Sequence, residues 1–541
     1  MYTYIAQKGD TLSGIAKRLR LNFEQLMFIN QHITNSEVCI EGQKVNIQIP
    51  VCYPQTPLTD QKDWIPLTPL REMSAKEYDV LIVGTGAGGS AVLWRLCERL
   101  RKNGMRIGII ERGDLLIPTN YINIPTLNAT SGRDYYWNVG YRLGNYQPEF
   151  PGATEIFALG GRTLFWSANT PRLNPCDMID WPISYKEIIP YYNIAEEVMN
   201  ISNTYTKDSK IASTTLEILR KSGFPDAMQI PVAADLSQTK FGQVHSNAFF
   251  SSILFLARAL YLHTFDLAVN ARAIRIFTKN GKAAGVEVMS PDKEAYFIKA
   301  KNIVLSAGTW ETPRLLLYSG IKGSSVGHYL SNHSKVVARV SVDRNAFGEV
   351  LGTLDLLVPR TGNRPYQVTL YGPNLERYLW YQPYEDRPLL KEIGIGIEAL
   401  GIVEPRYENH ISLNYNKLDE YGVPEIQVKF SYGKKDMEII GEMFIGTNNI
   451  VSGIGKYADI KSSDICLYAP GDDYHEVGTC RMGDDPSTSV INRYGQLHGI
   501  PNLYVADNSV YPINGAANPT LTTVSLAIRT ADYICHQLLR A

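Results

Sequence analysis

Three features are missing from this 541-residue sequence: a strong net charge, a long apolar run and paired cysteines. Its 53 basic and 54 acidic residues leave a formal net charge of −1, so the composition favours neither nucleic acid nor an anionic membrane as a partner. No apolar run approaches the roughly 18 residues that span a bilayer. The seven cysteines include no C-x-x-C pair, which argues against a zinc or dithiol site and favours reduced thiols and no bound metal.

The N-terminal segment MYTYIAQKGD also lacks a basic stretch followed by an apolar one. This absence of a secretion signal predicts a cytoplasmic protein. At about 150 residues per domain, the length predicts two to four domains. Residues 51–77 contain four prolines among polar residues, a composition that favours an extended, semi-rigid linker between the first domain and the rest.

Residues 1–50 are predicted to form a small domain of strand–helix–helix–strand order. Thr11 is the expected N-cap of the first helix, and apolar residues follow it at helical spacing. This unit resembles the LysM module, which implies binding of N-acetylglucosamine-containing glycans and a cell-envelope or spore-surface location. The alternative is an assembly role without a glycan site. The matching residues are Gly9-Asp10-Thr11-Leu12, Ile15-Ala16, Leu26, Asn30 and Gly42-Gln43-Lys44-Val45.

The segment 78–112 has the order strand, glycine-rich turn, helix, strand and acid. In such a unit the first glycine permits a tight turn, the second lets the backbone approach a pyrophosphate, and the third lets the helix lie close to the strand. The helix N-terminus attracts the phosphates, and the acid accepts hydrogen bonds from a ribose. The whole pattern therefore predicts a dinucleotide site, whereas isolated glycines would indicate only a turn. The residues in these positions are Gly84, Gly86, Gly89 and Glu111.

Three segments together resemble the glucose–methanol–choline (GMC) family of flavoprotein oxidoreductases, and the resemblance covers almost everything after residue 77. They are the glycine fingerprint, the segment GTWETPRLLLYSGI at 308–321 (where Lys322 then replaces the usual glycine), and a C-terminal block that includes HEVGTCRMG at 475–483 and NLYVADNSVYPINGAANPTLTTVSLAIRTADYI at 502–534. The resemblance implies an α/β fold, in which a Rossmann-like FAD-binding domain (78–175, 245–330 and 470–541) is interleaved with an α+β substrate domain built on a mixed sheet (176–244 and 331–469).

Two further segments, GGRTLFWSANTPRL at 160–173 and LGIVEPRYENHISL at 400–413, resemble pyranose oxidases and bacterial glycoside oxidases. The first matches a flavin-contacting loop, which in pyranose oxidases carries a histidine that binds the flavin covalently. Phe165 occupies that position here, so the departure implies non-covalently held FAD. Ser167 falls where a hydroxyl residue lies near flavin N5, and Gly161 and Thr163 of the same loop are expected cofactor contacts.

Oxidation of an alcohol by hydride transfer needs a base for the hydroxyl proton, a group that holds the oxygen, and an acceptor at hydride distance. A histidine suits the base because its unperturbed pKa of about 6.5 lies near neutral pH. His475 matches the family's base, and Asn518 matches the second member of its His–Asn pair, with hydride passing to flavin N5. As an alternative, Asn518 could only cap the helix that begins near Thr520. His333 lies in a weaker family match and is expected to be structural.

The resemblance extends the cofactor site from the adenosine end to the isoalloxazine ring. The alternative for the aspartate in this set is a purely turn-making role. The expected contacts in that order are Glu111, Arg112, Ala273, Asp507, Asn508 and Thr520.

The resemblance thus implies an FAD-dependent oxidoreductase that converts a hydroxyl of a sugar or glycoside, more specifically a secondary one at C3 or C2, to a carbonyl. The expected electron acceptor is O₂ or a quinone, and a homo-oligomer is one expected assembly. Two alternatives stay open: oxidation of a primary alcohol such as that of an aminosugar, and a glycan-binding protein with an inactive flavin domain. Aromatic residues that would suit either sugar stacking or a core or oligomer interface are Tyr366, Tyr371, Tyr378, Trp380, Tyr381 and Tyr384.

Overall fold

The computed structural model of the protein describes residues 2–48, 64–101, 104–124, 126–127, 129–143, 147–236, 248–321, 323–347, 352–374 and 391–540. The chain divides into two compact units, Met1–Pro66 and Leu67–Ala541. Within the described ranges, no helix combines the length and the apolar character needed to cross a membrane. The cysteines in these ranges are free thiols, as predicted: Cys39, Cys97, Cys176, Cys466, Cys480 and Cys535.

The first unit has the predicted strand–helix–helix–strand order. Thr11 caps the first helix by accepting a hydrogen bond from the backbone N–H of Gly14 at 3.0 Å. Asn30 ties the second helix to the second strand, because its side-chain amide donates to the carbonyl oxygens of Leu26 at 2.8 Å and Asn46 at 2.7 Å. The elements are β1 (Tyr2–Ile5), α1 (Leu12–Leu19), α2 (Phe23–Ile29) and β2 (Lys44–Ile47).

The helices described in the second unit are α3 (Leu70–Ser74), α4 (Ala87–Arg99), α5 (Ala129–Val139), α6 (Tyr185–Val198), α7 (Lys210–Lys221), α8 (Ile253–Leu260), α9 (Gly308–Tyr318), α10 (Lys434–Tyr457) and α11 (Thr520–Leu538). Its strands are β3 (Glu77–Tyr78), β4 (Val80–Val83), β5 (Ile107–Ile110), β6 (Tyr141–Arg142), β7 (Thr154–Glu155), β8 (Ile201–Ser202), β9 (Met228–Gln229), β10 (Val232–Ala233), β11 (Asp266–Ala268), β12 (Arg272–Lys279), β13 (Lys282–Met289), β14 (Ala295–Ala300), β15 (Ile303–Leu305), β16 (Ser334–Asp343), β17 (Leu354–Val358), β18 (Tyr366–Asn374), β19 (Glu392–Gly401), β20 (His410–Leu418), β21 (Pro424–Lys429), β22 (Ile460–Leu467) and β23 (Leu503–Val505).

A five-stranded parallel sheet of order β11-β5-β4-β15-β23 carries the glycine fingerprint. Strands β4, β5, β15 and β23 are buried along their whole length, as expected for parallel strands covered on both faces. Helix α4 follows β4 directly and packs against α8 and α11. The predicted α/β architecture with a Rossmann-like sheet is therefore confirmed.

The second large sheet of this unit has six strands in the order β22-β16-β19-β18-β17-β9. The pairings between its strands are all antiparallel, whereas the family resemblance implied a mixed sheet. For β17 and β18 the antiparallel pairing follows from the chain path, because residues 359–365 between them are too few for the crossover that parallel neighbours need. One face of the sheet packs on α7 and α10 and forms a large apolar core.

The glycine turn between β4 and α4 is packed tightly against its surroundings. Gly84 has φ +100°, a conformation that glycine adopts without strain. A Cβ on Gly89 would lie 2.0 Å from the carbonyl oxygen of Gly84, and one on Gly88 would lie 1.8 Å from that of Ala506. Both contacts are with backbone, so these glycines let α4 lie close to the sheet. The close approach at Gly89 is the one the sequence predicts, while the role of Gly88 is additional.

The predicted linker ends earlier than its composition suggests. Helix α3 lies within residues 67–77, strand β3 begins at Glu77, and Met73 is fully buried. The N–H of Thr68 donates to the carbonyl oxygen of Leu267 at 2.7 Å, and Lys76 pairs with Asp266 at 2.9 Å. These contacts place the last residues of the predicted linker in the second unit. The sequence did not predict this, because proline content does not indicate which residues form such contacts.

Domain boundaries inside the second unit stay a prediction. The strands of the parallel sheet all fall in segments expected to bind FAD, and the strands of the antiparallel sheet all fall in segments expected to form the substrate domain. Strands β12 and β13 form a hairpin around Asn280-Gly281. Helix α9 begins at Gly308, the first residue of the family-like segment 308–321.

The glycine packing makes a stability prediction. Gly89→Ala should lower the free energy of unfolding by about 1–3 kcal/mol, because its Cβ has no room beside the Gly84 carbonyl. Gly86→Ala is the matched control, since a Cβ there meets no atom within 4 Å. Denaturant unfolding of both variants measures the difference, and equal midpoints would contradict the packing described.

Candidate active site

A cavity of about 920 Å³ lies between the glycine turn and one face of the antiparallel sheet. It brings together residues that are distant in sequence and come from both sheets. Gly89 does not line it, since that glycine is buried in the first turn of α4 against Gly84 and Ser306. The predicted site residues that do line it are Gly84, Gly86, Glu111, Arg112, Gly161, Thr163, Ser167, Ala273, His475, Asp507, Asn508, Asn518 and Thr520.

The backbone at Gly86 is open toward this cavity. A Cβ built on Gly86 meets no atom within 4 Å, in contrast to those built on Gly84, Gly88 and Gly89. Helix α4 begins at the next residue, so its unpaired N–H groups and positive dipole end lie at the opening. Gly161 approaches from the opposite side, with its own Cβ position 3.4 Å from the Cα of Gly86. This geometry suits a pyrophosphate held by backbone.

Glu111 is buried at the end of β5 and organises the turn. Its Oε2 accepts hydrogen bonds from the N–H of Thr85 at 3.0 Å and from the Thr85 hydroxyl at 2.7 Å. Its Oε1 accepts one from the N–H of Gly113 at 2.9 Å. Burial raises the pKa of Glu111, and these hydrogen bonds oppose the shift. Because a carboxylate oxygen accepts two hydrogen bonds, Oε1 retains capacity for a ribose hydroxyl.

Arg112 belongs to a buried ionic cluster beside this end of the cavity. Its guanidinium carbon lies 3.6 Å from the ring centroid of Phe157, and its Nη1 lies 3.2 Å from Glu311 Oε1. Glu311 also pairs with Arg314 at 2.5 Å. Burial and the nearby Glu311 raise the pKa of Glu155 to about 8. A direct contact of Arg112 with a cofactor stays a prediction.

Asp507 has the turn-making role that the sequence left as an alternative. Its Oδ2 accepts from the N–H of Gly308 at 2.9 Å and the hydroxyl of Thr312 at 2.6 Å. Its Oδ1 accepts from the N–H of Ser509 at 2.9 Å and from that residue's hydroxyl. The carboxylate thus joins the start of α9 to the loop after β23. Its neighbour Asn508 lines the cavity and accepts a hydrogen bond from Thr523.

Three side chains of the loop 160–167 have different roles. The Thr163 hydroxyl donates to the carbonyl oxygen of Gly160 at 2.6 Å, so its side chain holds the loop's shape. Ser167 is exposed and lines the cavity. Phe165 packs among aromatic rings, with centroids 6.2 Å from Tyr121 and 5.6 Å from Tyr136. A phenyl ring has no nucleophilic atom, which agrees with the expectation that this position forms no bond to a cofactor.

His475 hydrogen-bonds to His333, a residue predicted from the sequence to be structural. The two Nδ1 atoms lie 3.0 Å apart, and Nε2 of His333 lies 3.0 Å from the carbonyl oxygen of Gly515. A carbonyl only accepts, so the proton of His333 is on Nε2 and its bare Nδ1 accepts from His475. Burial lowers the pKa of His333 to about 4, which keeps it neutral. Nε2 of His475 is therefore left unprotonated and faces the cavity side.

Asn518 is oriented by a second amide. Nε2 of Gln367 donates to Oδ1 of Asn518 at 2.9 Å, which turns Nδ2 of Asn518 toward His475 Nε2 at 3.5 Å. An amide nitrogen carries two hydrogens, so one can reach His475 and the other a bound oxygen. Helix α11 has Pro519 as its N-cap without a side-chain cap. The alternative role of Asn518 as a helix cap is therefore wrong.

The backbone explains why the two histidines meet. Ser331 and Val477 exchange two backbone hydrogen bonds, at 3.1 and 2.9 Å, which join the segment before β16 to the loop after β22. Gly478 has φ +95°, and a Cβ there would lie 2.3 Å from the carbonyl oxygen of Tyr329. The glycine of the H-E-V-G motif is thus needed for the two segments to lie this close together. The motif therefore helps to position His475 beside His333.

Asp473 completes the network behind the histidines. Its oxygens accept from the N–H of His333 at 2.9 Å and the side-chain amide of Asn332 at 3.0 Å. In the described part of the chain, His333, Asp473 and His475 are the group with ligand atoms near enough for a metal. Because the two ring nitrogens nearest each other share a hydrogen bond, the arrangement favours proton transfer over metal binding.

Burial is the largest cause that lowers the pKa of His475 well below its ordinary value. Three neighbours act in the same direction, namely His333, Lys335 and Arg162. Arg162 is itself paired with Glu476 at 2.6 Å. A lowered pKa means that His475 is neutral at neutral pH and is free to accept a proton.

Two models described as GMC oxidoreductase match residues 154–335 and 405–527. The chain is a GMC oxidoreductase. A LysM domain model matches residues 4–48, which confirms the predicted N-terminal domain. The family and its structural neighbours are FAD-binding flavoproteins, and its members act on alcohols and sugars, so this GMC enzyme is an oxidoreductase of that type.

Three relatives illustrate the chemistry found in the family. A 2-methyl-1,2-propanediol dehydrogenase from Mycolicibacterium austroafricanum is 26% identical and covers 85% of this chain and 96% of its own. A paromamine 6'-oxidase from Streptomyces fradiae is 24% identical over 85% and 92%. A C-glycoside 3-oxidase from Arthrobacter globiformis is 29% identical over 51% and 54%. Formate oxidase from Aspergillus oryzae shares the fold, with 16% identity, a TM-score of 0.65 and coverage of 86% and 99%.

The role of His333 is tested by replacing its acceptor nitrogen. His333→Phe should lower the rate of flavin reduction by substrate about 10²-fold, because His475 loses the acceptor that fixes its proton on Nδ1. His333→Asn keeps an acceptor near the Nδ1 position and should lose much less. Stopped-flow reduction at equal FAD content compares them. Equal losses in the two variants would indicate that His333 only supports the fold.

The pH dependence of kcat/KM reports the protonation of His475. Since a neutral imidazole is required and its pKa is lowered, activity should fall only below the unperturbed value of about 6.5. The rate should therefore stay level from pH 8 to about pH 6 and be lost as pH decreases further. An acid limb centred at or above pH 6.5 would show that the environment does not lower this pKa.

Proposed function

We propose that the protein uses non-covalently bound FAD to oxidise a hydroxyl group of a sugar or glycoside to a carbonyl. The observation that carries the proposal is the ordered chain of hydrogen bonds from Gly515 through His333, His475 and Asn518 to Gln367. It leaves one bare imidazole nitrogen beside one amide donor, at the wall of the cavity into which the glycine turn opens.

The residues at the other end of the cavity fit a flavin dinucleotide. The open backbone at Gly86 and the α4 N-terminus suit the pyrophosphate, and Glu111 suits the ribose. Ala273 and Thr520 line the cavity where the adenine and the ring system are expected. Bound FAD would supply the acceptor for the hydride that leaves the substrate carbon. Phe165 supports a cofactor held without a covalent bond.

His475 and Asn518 divide the work on the substrate hydroxyl. Nε2 of His475 accepts the hydroxyl proton, while Nδ2 of Asn518 donates a hydrogen bond to the oxygen as negative charge develops on it. The imidazolium that forms keeps its hydrogen bond to His333 and lies 4.0 Å from the Asp473 carboxylate. This carboxylate offsets the new charge inside a buried site.

A secondary ring hydroxyl, at C3 or C2, is the favoured position of oxidation. The loops at 160–173 and 400–413 carry the resemblance to enzymes of that specificity, and a C-glycoside 3-oxidase is among the relatives. The second candidate is a primary alcohol on an aminosugar, favoured by the relative named paromamine 6'-oxidase, which covers more of the chain. A ketone product supports the first and an aldehyde supports the second.

The remaining parts of the proposal concern partners. We infer that O₂ or a quinone reoxidises the flavin, and that the LysM domain binds glycans containing N-acetylglucosamine. Such binding would hold the enzyme at a cell envelope or spore surface rather than free in the cytoplasm. A homo-oligomer is compatible with flavin reoxidation and with glycan binding. The intact pairing of His475 with Asn518 supports turnover over the rival role of an inactive flavin domain.

The assignment of the base is tested by His475→Ala. Flavin reduction by substrate should fall about 10²–10⁴-fold, because the nitrogen proposed to accept the hydroxyl proton is removed. His536→Ala, an exposed histidine in the last turn of α11, is the matched control and should reduce at the normal rate. Denaturation should release FAD from both variants in equal amounts. Loss of FAD, or near-normal reduction by His475→Ala, would refute the assignment.

The substrate is identified by anaerobic mixing with free sugars and with O- and C-glycosides, followed by NMR of the products. Bleaching of the flavin by a sugar or glycoside, with a ring ketone as the product, is the expected outcome. A flavin that no sugar bleaches, while a small diol or another simple alcohol does, would contradict the proposed substrate class.

A further inference from the structure

One face of the antiparallel sheet is polar and lines the cavity. Alternate residues of its strands face opposite sides, and those that face α7 and α10 are apolar. The register pairs Gln367 with Leu400 and Thr369 with Glu398. It also pairs Lys335 with Leu400 on the next strand. Among the residues of this face that line the cavity are Lys335, Arg339, Thr369, Tyr371, Glu398 and Leu400.

Three of these side chains form a hydrogen-bonded group, which we term the β16–β19 polar triad: Lys335, Tyr371 and Glu398. Oε1 of Glu398 lies 3.2 Å from Nζ of Lys335 and accepts from the Tyr371 hydroxyl at 3.2 Å. Gly396 makes this possible, because a Cβ there would lie 2.2 Å from the Tyr371 ring. Only 13% of the Lys335 side chain and 26% of that of Glu398 are exposed, so the charges are largely withdrawn from bulk water.

The triad keeps unused hydrogen-bonding capacity. Among the described residues, Oε2 of Glu398 has no donor, although the carboxylate accepts at both oxygens. The ammonium of Lys335 has three hydrogens, of which one faces Glu398 and another the carbonyl oxygen of Asp472 at 3.5 Å. An adjacent acceptor and donor of this kind match a hydroxyl group, which both donates and accepts.

The triad lies at a defined place relative to the proposed reaction. Gln367, which holds Asn518, is on the same face and two residues before Thr369, the partner of Glu398. Two residues of a strand extend roughly 7 Å. Lys335 is near enough to lower the pKa of His475 and contacts the residue before Asp473. A spacing of this order along the strand suits a pyranose ring with its hydroxyls, and a three-carbon diol is shorter.

We propose that the β16–β19 polar triad binds a hydroxyl of the substrate other than the one oxidised, so that the enzyme prefers a neutral pyranoside to a small diol. This inference deepens the proposed function and rests on it. Charge-assisted hydrogen bonds to a carboxylate and an ammonium are stronger than neutral ones, and burial strengthens them further. Because Lys335 and Glu398 neutralise each other, the site suits a ligand without charge.

The experiment compares Glu398→Gln and Lys335→Met with the matched control Glu392→Gln. Glu392 is an exposed glutamate at the start of the same strand and does not line the cavity. It accepts a hydrogen bond of 2.7 Å from the Ser341 hydroxyl. Anaerobic flavin reduction at pH 8 is measured with methyl β-glucoside, its monodeoxy derivatives and propane-1,2-diol. Circular dichroism and FAD content confirm that each variant is folded and loaded.

We expect both triad variants to lower kcat/KM for the glucoside about 10–100-fold, mainly through KM, and to change that for the diol less than about 3-fold. The control should change neither. In the unaltered enzyme, one monodeoxy glucoside should show the same loss of kcat/KM. Glu398→Gln should lower kcat/KM for that deoxy glucoside only slightly further, since the deoxy position and the substitution remove the same hydrogen bond. Glucoside binding to FAD-loaded His475→Ala, followed by the flavin spectrum, should weaken by the same factor when Glu398→Gln is added.

Equal losses for glucoside and diol, or none for the glucoside, would overturn the inference while leaving the proposed function intact. In the first case the triad supports the catalytic groups, and in the second it only stabilises the sheet. Reduction of the unaltered enzyme by the diol and by none of the glucosides would overturn the proposed function itself. That result requires no variant, so the two failures are distinguishable.

Discussion

The hydrogen bond between the Nδ1 atoms of His333 and His475 is the constraint on which the candidate site depends. It determines which nitrogen of His475 carries the proton and therefore which one is free to accept another. The direction of the bond is set one step further back, where the carbonyl oxygen of Gly515 accepts from His333. A backbone atom thus fixes the proton state of a side chain that it does not touch. Burial supports this by keeping both rings neutral.

Much of the surrounding structure brings these two rings together and holds the groups beside them. The Ser331–Val477 backbone pairing joins the two loops, and Gly478 removes the Cβ that would separate them. The antiparallel sheet supplies Gln367, which fixes the amide of Asn518. The parallel sheet and the glycine turn form the opposite end of the cavity. In this GMC fold, therefore, a proton acceptor and a turn suited to a dinucleotide line the same cavity, although they come from different parts of the structure.

The sequence predicted the features that depend on local pattern. The glycine fingerprint, Glu111, and the motifs around His475 and Asn518 are contiguous segments, and their predicted site residues other than Gly89 line one cavity. It did not predict His333, because this residue lies 142 positions from His475 and its own segment matches the family weakly. The cofactor contact expected of Asp507 stays a prediction, and the sequence did not indicate that four protein donors occupy its carboxylate. The antiparallel sheet and the early end of the linker also depend on pairing between distant segments, which composition does not encode.

The central claim is most directly tested by ¹⁵N NMR of the FAD-loaded enzyme labelled at histidine. The two neutral tautomers of imidazole have distinct nitrogen shifts, so each ring reports where its proton lies. At pH 7 the account predicts one histidine protonated on Nδ1 and coupled to another protonated on Nε2, with both signals altered in His475→Ala. If His475 instead carries its proton on Nε2, or is doubly protonated, then its cavity-facing nitrogen is not free and the account is contradicted.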